Sequence, residues 1–169
     1  MNDETQVAVL TVSDRAAAGT YEDESGPLIE EMISQRTQWS VVHLAVVSDD
    51  REQIAETLLS WCEAGITLIL TTGGTGFAPR DVTPEATKQV IEREAPGIVE
   101  ALRYESLKIT KHAMLSRAVA GLRGQTLIIN LPGSPKAVRE SLDILMPVLP
   151  HALELTAGES GAEAGHRRV

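Results

Sequence analysis

At its centre the chain passes from an apolar run, Ile66–Leu70, directly into Thr71-Thr72-Gly73-Gly74-Thr75-Gly76. A short run of this kind, bounded by turn residues, is typical of a strand that is buried on both faces, as in a parallel sheet. Three glycines within four residues cost more backbone entropy than an ordinary turn requires. This stretch therefore predicts a parallel strand that ends in a functional loop.

Three further apolar runs have the same character: Val7–Val12, Val41–Val47 and Thr126–Leu131. The second run contains the polar His43, which favours a position nearer the edge of the sheet. A turn at Arg123-Gly124 predicts a hairpin over residues 118–130, which adds one antiparallel strand.

Helical patterns separate these runs. The first two place apolar residues on one face: Leu28, Ile29, Met32 and Ile33, then Ile54, Ala55, Leu58, Leu59 and Cys62. The second helix is expected to follow a cap at Asp49 or Asp50 and to end at Gly65. Three more helices are expected to begin at Thr83-Pro84, at Pro96 and at Ser134-Pro135, and the one that begins at Pro96 is expected to end at about Lys108. The last helix places four apolar residues on one face: Val138, Leu142, Leu145 and Leu149. This alternation predicts an α/β fold of three layers, a mostly parallel sheet flanked by helices.

Length and charge narrow the class of protein. The 169 residues fit one domain, which we assign to residues 1–156, with residues 157–169 expected to form a flexible tail. A net charge of −9 argues against nucleic-acid and anionic-membrane partners. No apolar run is long enough to span a membrane, the first six residues are unlike a signal peptide, and the single Cys62 is expected in the core. We therefore expect a cytoplasmic protein.

The ends of three predicted strands carry small polar residues and lead into helices. The first strand ends in Ser13-Asp14-Arg15, and a loop at residues 16–24 leads to Ser25-Gly26-Pro27. The other two strand ends are Thr72-Gly73-Gly74-Thr75-Gly76 and Asn130-Leu131-Pro132-Gly133-Ser134. In open α/β sheets ligands bind at the carboxyl ends of the strands, and glycine-rich turns and helix N-termini both suit phosphate groups. Capping is an equally good reason for Ser134 and Thr83 taken singly. The Walker A and dinucleotide-binding motifs do not fit, since no Lys stands where a Walker A loop requires one and no Gly-x-Gly-x-x-Gly sequence follows the first strand.

Two aspartates also follow strand ends. Asp49 comes after the second run, and Asp81 comes shortly after the glycines. Carboxylates beside a phosphate site favour a Mg²⁺ ion between them, whereas helix capping is the alternative for Asp49 and is harder to invoke for Asp81. The four histidines have no metal-ligand spacing.

Five motifs occur in an order that resembles one family. They are Val12-Ser13-Asp14, Asp23-x-Ser25-Gly26-Pro27, Thr72-Gly73-Gly74-Thr75-Gly76, Arg80-Asp81-Val82-Thr83-Pro84-Glu85-Ala86 and Asn130-Leu131-Pro132-Gly133-Ser134-Pro135. Together they resemble the molybdopterin adenylyltransferases, which include the bacterial MogA type and the G domains of gephyrin and its plant counterpart. The resemblance covers residues 7–155.

The resemblance implies a homotrimer that transfers AMP from ATP to molybdopterin with Mg²⁺ and hands its product to a molybdenum-inserting enzyme. The family's catalytic aspartates fall on Asp49 and Asp81, which would also bind the metal. Its pocket falls on Ser13, Asp14, Ser25, Gly26, Thr72, Gly73, Gly74, Thr75, Gly76, Pro132, Gly133 and Ser134. Arg80 either supplies a cation to the phosphates or forms a surface salt bridge.

Two alternatives stay open on the sequence. One is a non-catalytic molybdopterin-binding or scaffold module of the same fold, like the MoaB type. The intact Arg80-Asp81-Val82-Thr83-Pro84 favours the MogA type over it. The other is a nucleotide-dependent enzyme for a different phosphorylated small molecule.

Overall fold

Six strands form one sheet in the computed structural model, which describes residues 5–158. The strands are β1 (Gln6–Val12), β2 (Ser40–Val47), β3 (Leu68–Thr72), β4 (Arg93–Glu94), β5 (Ala120–Arg123) and β6 (Thr126–Leu131). Their order is β2-β1-β3-β6-β5-β4. The pairs β1–β2, β1–β3 and β3–β6 are parallel, and β5 is antiparallel to β4 and β6. The mostly parallel sheet, the hairpin and the edge position of β2 are all confirmed; the short β4 has no signal in the sequence.

The helices match the predicted ones with three corrections. They are α1 (Asp14–Ala17), α2 (Ser25–Arg36), α3 (Arg51–Glu63), α4 (Thr83–Val90), α5 (Pro96–Leu107), α6 (Pro135–Leu145) and α7 (Leu149–Ala157), with a 3-10 helix at Lys111–Leu115. Residues 16–24, expected to be a loop, begin within α1. The last predicted helix is two helices, because Pro147 cannot continue α6; Leu149 therefore begins α7.

The third correction concerns Thr83, which we expected to cap α4. Thr83 is instead the first helical residue, fully buried, and the position before it makes no side-chain capping bond.

Helix α7 includes Ala157, and Gly158 ends it with a φ of +71°. The rest of the expected tail, residues 159–169, lies outside the described residues. Among the described helices, none has the length and apolar character needed to cross a membrane.

The sheet is buried on both faces because alternate residues of its central strands belong to different cores. Val7 and Val9 of β1 pack with α2, α5, α6 and α7, whereas Ala8 and Leu10 pack with α3 and α4. Burying one Leu or Ile side chain contributes about 1.5–3 kcal/mol, so the two cores hold both helix layers on the sheet. This is the expected three-layer arrangement, and it explains why the central runs are apolar at every position.

The topology creates a switch point at the carboxyl ends of β1 and β3. The chain leaves β1 through α2 toward the edge strand β2, then crosses through α3 on the other face to β3, on the opposite side of β1. From β3 it continues toward β4 at the far edge. The connections therefore diverge between β1 and β3, and such switch points are where open α/β sheets bind ligands.

Candidate active site

The glycine loop, Gly73–Gly76, starts where three strand ends meet. The N–H of Gly73 donates to the carbonyl oxygen of Leu131, at the end of β6, at 3.3 Å. A Cβ atom on Gly73 would lie 2.3 Å from the carbonyl oxygen of Val12, at the end of β1. Gly73 also has a φ of +96°. Only glycine fits this position, because a side chain would collide with backbone and would strain the chain.

All four carbonyl oxygens of the glycine loop accept hydrogen bonds from two residues. The Thr83 hydroxyl donates to Gly73 at 3.0 Å, and the Thr83 N–H donates to Gly74 at 3.1 Å. The backbone N–H of Arg117 donates to Thr75 at 2.8 Å, and its Nε donates to Gly76 at 2.7 Å. The carbonyl groups, which would repel an anion, are therefore engaged within the protein.

Three of the four N–H groups of the same loop are available. Those of Gly74, Thr75 and Gly76 donate to no acceptor within residues 5–158. Gly73 and Gly74 have φ angles of +96° and +67°, and the loop is bonded to the first residue of α4. Consecutive free amides in such a turn form an anion-binding concavity, and a helix N-terminus nearby adds a positive dipole end. The loop has the donors that a phosphate group needs.

Asp49 and Asp81 both lie against this loop. Asp49 Oδ1 is 3.1 Å from the position that a Cβ atom of Gly74 would take, and Asp81 Oδ2 is 2.9 Å from that of Gly76. One oxygen of each carboxylate is already bonded: Asp49 Oδ2 accepts from the backbone N–H of Asp14 at 2.8 Å, and Asp81 Oδ2 accepts from a backbone N–H at 2.9 Å. The other oxygen of each accepts no hydrogen bond from the described part of the chain. Each of these two carboxylates thus keeps one oxygen available to a cation.

Capping does not explain Asp49. The cap of α3 is Asp50, whose side chain accepts from the N–H of Gln53 at 2.9 Å. Partial burial raises the pKa of the Asp49 carboxyl, and the charges of Asp14 and Asp81 raise it further, against the hydrogen bond from Asp14 that lowers it. Negative charge is therefore concentrated here in a way that a bound cation would relieve.

Asp14 and Arg80 form a salt bridge at the rim of the site. Arg80 donates from Nε to Asp14 Oδ2 at 2.5 Å and from Nη2 to Asp14 Oδ1 at 3.0 Å. The hydrogen bond from Arg80 lowers the pKa of Asp14, with the backbone bond from Asp49 second. The salt bridge that was one of the two predicted roles of Arg80 is therefore present, and its bidentate contact holds the Asp81 segment to the end of β1.

Two clefts adjoin the glycine loop. One, of about 350 Å³, lies between the end of β1, the N-terminus of α2 and the loop before α6, and its lining includes Ser13, Tyr21 and Gly73. The other, of about 260 Å³, lies between α5, α6 and the 3-10 helix, and its lining includes Thr75 and Leu115. A single loop with phosphate-binding character thus separates two spaces that are each large enough for a planar ring system.

These features agree with the comparisons with known proteins. A family model described as a probable molybdopterin-binding domain matches residues 8–151. The chain belongs to this molybdopterin-binding family. A relative named molybdopterin adenylyltransferase, from Helicobacter pylori J99, is 46% identical over 154 residues, which cover 90% of this chain and 88% of that protein. Gephyrin of Dictyostelium discoideum is 48% identical over 158 residues, which cover 88% of this chain but 22% of that longer protein.

Solved structures share the fold of this family member closely. The molybdopterin biosynthesis enzyme MoaB of Thermus thermophilus superposes with a TM-score of 0.86 and 47% identity, covering 92% of this chain and 98% of that one. A structure of MogA gives a TM-score of 0.84 and 44% identity, covering 89% of this chain and 99% of that one. The three-layer α/β fold predicted from the alternation of strands and helices is therefore shown.

In this family member, several predicted pocket residues hold the loops of the site in place. The Ser25 hydroxyl donates to Gly133 O at 2.7 Å, and the Thr72 hydroxyl donates to Pro132 O at 2.6 Å. Ser13 and Ser134 accept backbone N–H groups as the caps of α1 and α6. At Gly26 a Cβ atom would lie 2.5 Å from Asp23 Oδ2. These residues shape the site through backbone contacts; Ser13, Ser25, Thr72 and Ser134 also line the larger cleft.

Sequence reasoning missed two residues of the site. Asp23 accepts from the Thr11 hydroxyl at 2.7 Å and from the Gly26 N–H at 3.1 Å, and it lines the larger cleft. Its signal was present, because it belongs to the motif that contains Ser25. Arg117 contacts the glycine loop from 41 residues away along the chain, and no local pattern marks it.

Proposed function

We propose that this chain is a molybdopterin adenylyltransferase of the MogA type, which transfers AMP from ATP to the phosphate of molybdopterin and releases pyrophosphate. The observation that supports this most is the glycine loop itself: three free consecutive amides stand beside two carboxylates that each keep one oxygen available. The intact Arg80-Asp81-Val82-Thr83-Pro84 sequence supports the MogA branch.

The two clefts suit the two substrates. A pterin and an adenine are both planar ring systems that carry phosphate groups on one side. With one ring in each cleft, the phosphates of both would meet over the glycine loop, where the amides of Gly74, Thr75 and Gly76 donate to their oxygens. Holding the two reactants in this way lowers the entropic cost of their meeting.

Asp49 and Asp81 fit a Mg²⁺ ion. Each offers one carboxylate oxygen, and within residues 5–158 no cluster of three or more His, Cys, Asp or Glu side chains could hold a metal by itself. Mg²⁺ characteristically takes one or two carboxylates and completes its shell with substrate phosphates and water. The ion would neutralise charge on the phosphate groups as the reaction proceeds.

The chemistry needs no protein nucleophile. An oxygen of the molybdopterin phosphate attacks the α-phosphorus of ATP, the bond from that phosphorus to the α–β bridging oxygen breaks, and pyrophosphate leaves with the bonding electrons. The loop amides and the N-terminus of α4 stabilise the charge that develops on the phosphate oxygens. The Asp14–Arg80 pair keeps the two loops that carry Asp49 and Asp81 together.

We further propose a cytoplasmic homotrimer that passes its product to a molybdenum-inserting enzyme. An exposed apolar surface on α5 and the following residues supports assembly: Tyr104, Leu107, Ile109, Met114 and Leu115. Exposed apolar side chains on neighbouring elements are typical of protein interfaces. Light scattering should give three times the chain mass for the native protein and a smaller mass for Met114→Glu.

Pyrophosphate release tests the proposed reaction. Purified protein with Mg²⁺, ATP and molybdopterin should release pyrophosphate, and Asp81→Asn should lower kcat by about a hundredfold or more while pterin affinity changes little. Asp50→Asn is the matched control: it makes the same change in a neighbouring carboxylate whose cap an Asn side chain preserves. Activity that persists with a chelator would refute the metal site. If the protein binds the pterin but releases no pyrophosphate, it is a molybdopterin carrier or scaffold and not an enzyme. If pyrophosphate release does not depend on the pterin, the enzyme acts on a different substrate.

A further inference from the structure

Arg117 contacts both ends of the segment that carries Asp81. Its Nε donates to the carbonyl oxygen of Gly76 and its Nη2 to that of Asp81, both at 2.7 Å. Its Nη1 donates to the carboxylate of Glu85 in the first turn of α4. The backbone N–H of the same residue donates to Thr75 at 2.8 Å. One arginine therefore joins the glycine loop, α4 and the Asp81 loop, which we define as residues 76–81.

Packing does not hold the Asp81 loop in place. Residues 77–80 are exposed, and Phe77 is 68% exposed. Within the loop, Ala78 and Asp81 exchange two bonds of 2.9 Å: the Ala78 N–H donates to Asp81 Oδ2, and the Asp81 N–H donates to Ala78 O. These bonds set the shape of the loop but do not attach it to the fold. Arg117 makes that attachment at both ends, and Arg80 adds an exposed one through Asp14.

Glu85 fixes the orientation of the arginine. The hydrogen bond from Arg117 holds the pKa of Glu85 below its usual range, so the pair is charged. Glu85 Oε2 is buried and accepts no hydrogen bond from the described residues, which leaves Arg117 as the partner that compensates this carboxylate. The guanidinium reaches the carboxylate and the two carbonyl groups from three separate nitrogen atoms in a fixed plane, whereas the three donors of a lysine all leave one nitrogen atom.

We propose that Arg117 is a positioning residue for the transfer reaction: it sets where the Asp81 carboxylate stands relative to the amides of the glycine loop. This inference rests on the proposed function for its kinetic part only. Arg117 acts through the backbone of Gly76 and Asp81 and need not touch a substrate.

Arg117→Lys tests the proposal, with Arg123→Lys as its matched control. Arg123 has the same exposed side-chain fraction as Arg117, 34%, and it also donates to a backbone carbonyl group and pairs with a glutamate. Arg123 is the last residue of β5, whereas Arg117 precedes that strand. Amide hydrogen exchange followed by mass spectrometry reports on residues 76–82 without any substrate. Pyrophosphate release measured against Mg²⁺ concentration reports on the metal site.

In Arg117→Lys, the two hydrogen-bonded amides of this segment, those of Ala78 and Asp81, should exchange about tenfold faster, because the bonds from a charged donor that hold the segment are lost. The value of kcat should fall about 10- to 100-fold and the half-saturating Mg²⁺ concentration should rise, while KM for ATP changes little. Arg123→Lys should match the native protein in all three. Glu85→Gln, a milder change, should shift exchange and Mg²⁺ dependence in the same direction by less.

Unchanged exchange in residues 76–82 of Arg117→Lys, or an equal loss of activity in Arg123→Lys, would overturn the proposal. If Arg117→Lys does not fold, the outcome for Glu85→Gln decides it, and native behaviour there overturns it. If the native protein itself releases no pyrophosphate, the proposed function fails. The exchange measurement then still supports or overturns the positioning of the Asp81 loop.

Discussion

Replacing Gly73 by Ala should be far more harmful than an alanine at another glycine with positive φ. The new Cβ atom would lie 2.3 Å from the carbonyl oxygen of Val12, whereas ordinary contact begins at 3.4 Å. The backbone would have to move by about 1 Å, and Val12 cannot yield easily because it belongs to a buried central strand. The φ of +96° adds strain of its own.

The two effects set the expected magnitude. Backbone strain of this kind costs about 1–3 kcal/mol, and forcing extra atoms into a packed site costs about another 1–3 kcal/mol. Gly124→Ala is the control, since Gly124 has a φ of +53° in the hairpin turn and a Cβ atom there would meet nothing within 4 Å. It should lose only about 1–2 kcal/mol of unfolding free energy. The two variants differ by the overpacking cost of about 1–3 kcal/mol. For a chain of this size each kcal/mol lowers Tm by about 2–4 °C, so Gly73→Ala should unfold roughly 2–12 °C below Gly124→Ala.

Thermal unfolding by circular dichroism and pyrophosphate release are the assays. A displaced glycine loop misaligns three amides at once, so kcat/KM should fall by about a hundredfold or more in Gly73→Ala and remain native in Gly124→Ala. Equal Tm values for the two variants, together with native activity in Gly73→Ala, would refute the close approach of the glycine loop to β1 and with it the reason for a glycine at this position.

Three further predictions concern charge and buried polar groups. The pKa of Asp49 is raised in the folded protein, so stability is lost as pH rises through that pKa. Asp49→Asn should remove this loss and raise the Tm of the metal-free protein at neutral pH while lowering activity; a lower Tm than native would contradict this. Arg80→Gln should return the pKa of Asp14 toward its usual range, so that a carboxyl resonance in NMR titrates at higher pH than in the native protein; an unchanged titration would show that the salt bridge does not form in solution. Asn130→Ala should cost about 2–4 kcal/mol in urea unfolding, because the buried Asn130 amide bonds Thr71, Thr87 and the N–H of Val119; a cost below about 1 kcal/mol would show that these groups find other partners.

Local patterns in the sequence determined most of the fold. Continuous apolar runs predicted the central strands because a strand buried on both faces needs apolar residues at every position, and alternate residues of β1 do enter two different cores. The edge strand and the hairpin followed from one polar residue and one turn. The two-residue β4 and the division of the last helix were not predicted, because the first has no periodicity and the second depends on one proline in an otherwise apolar pattern.

The sequence also predicted where the candidate site lies, because strand ends, glycines and aspartates recur at the same kind of position. Tertiary structure alone decided what each residue does there. The capping alternatives for Asp49 and Thr83 were resolved only by their partners: Asp50 caps α3, and the Thr83 hydroxyl bonds Gly73. Arg117 could not be found from the sequence, since a hydrogen bond across 41 residues leaves no local pattern. The spacing of residues along the chain predicts which helix or strand a residue belongs to. The carbonyl group to which a side chain donates is determined only when the helices and strands pack together.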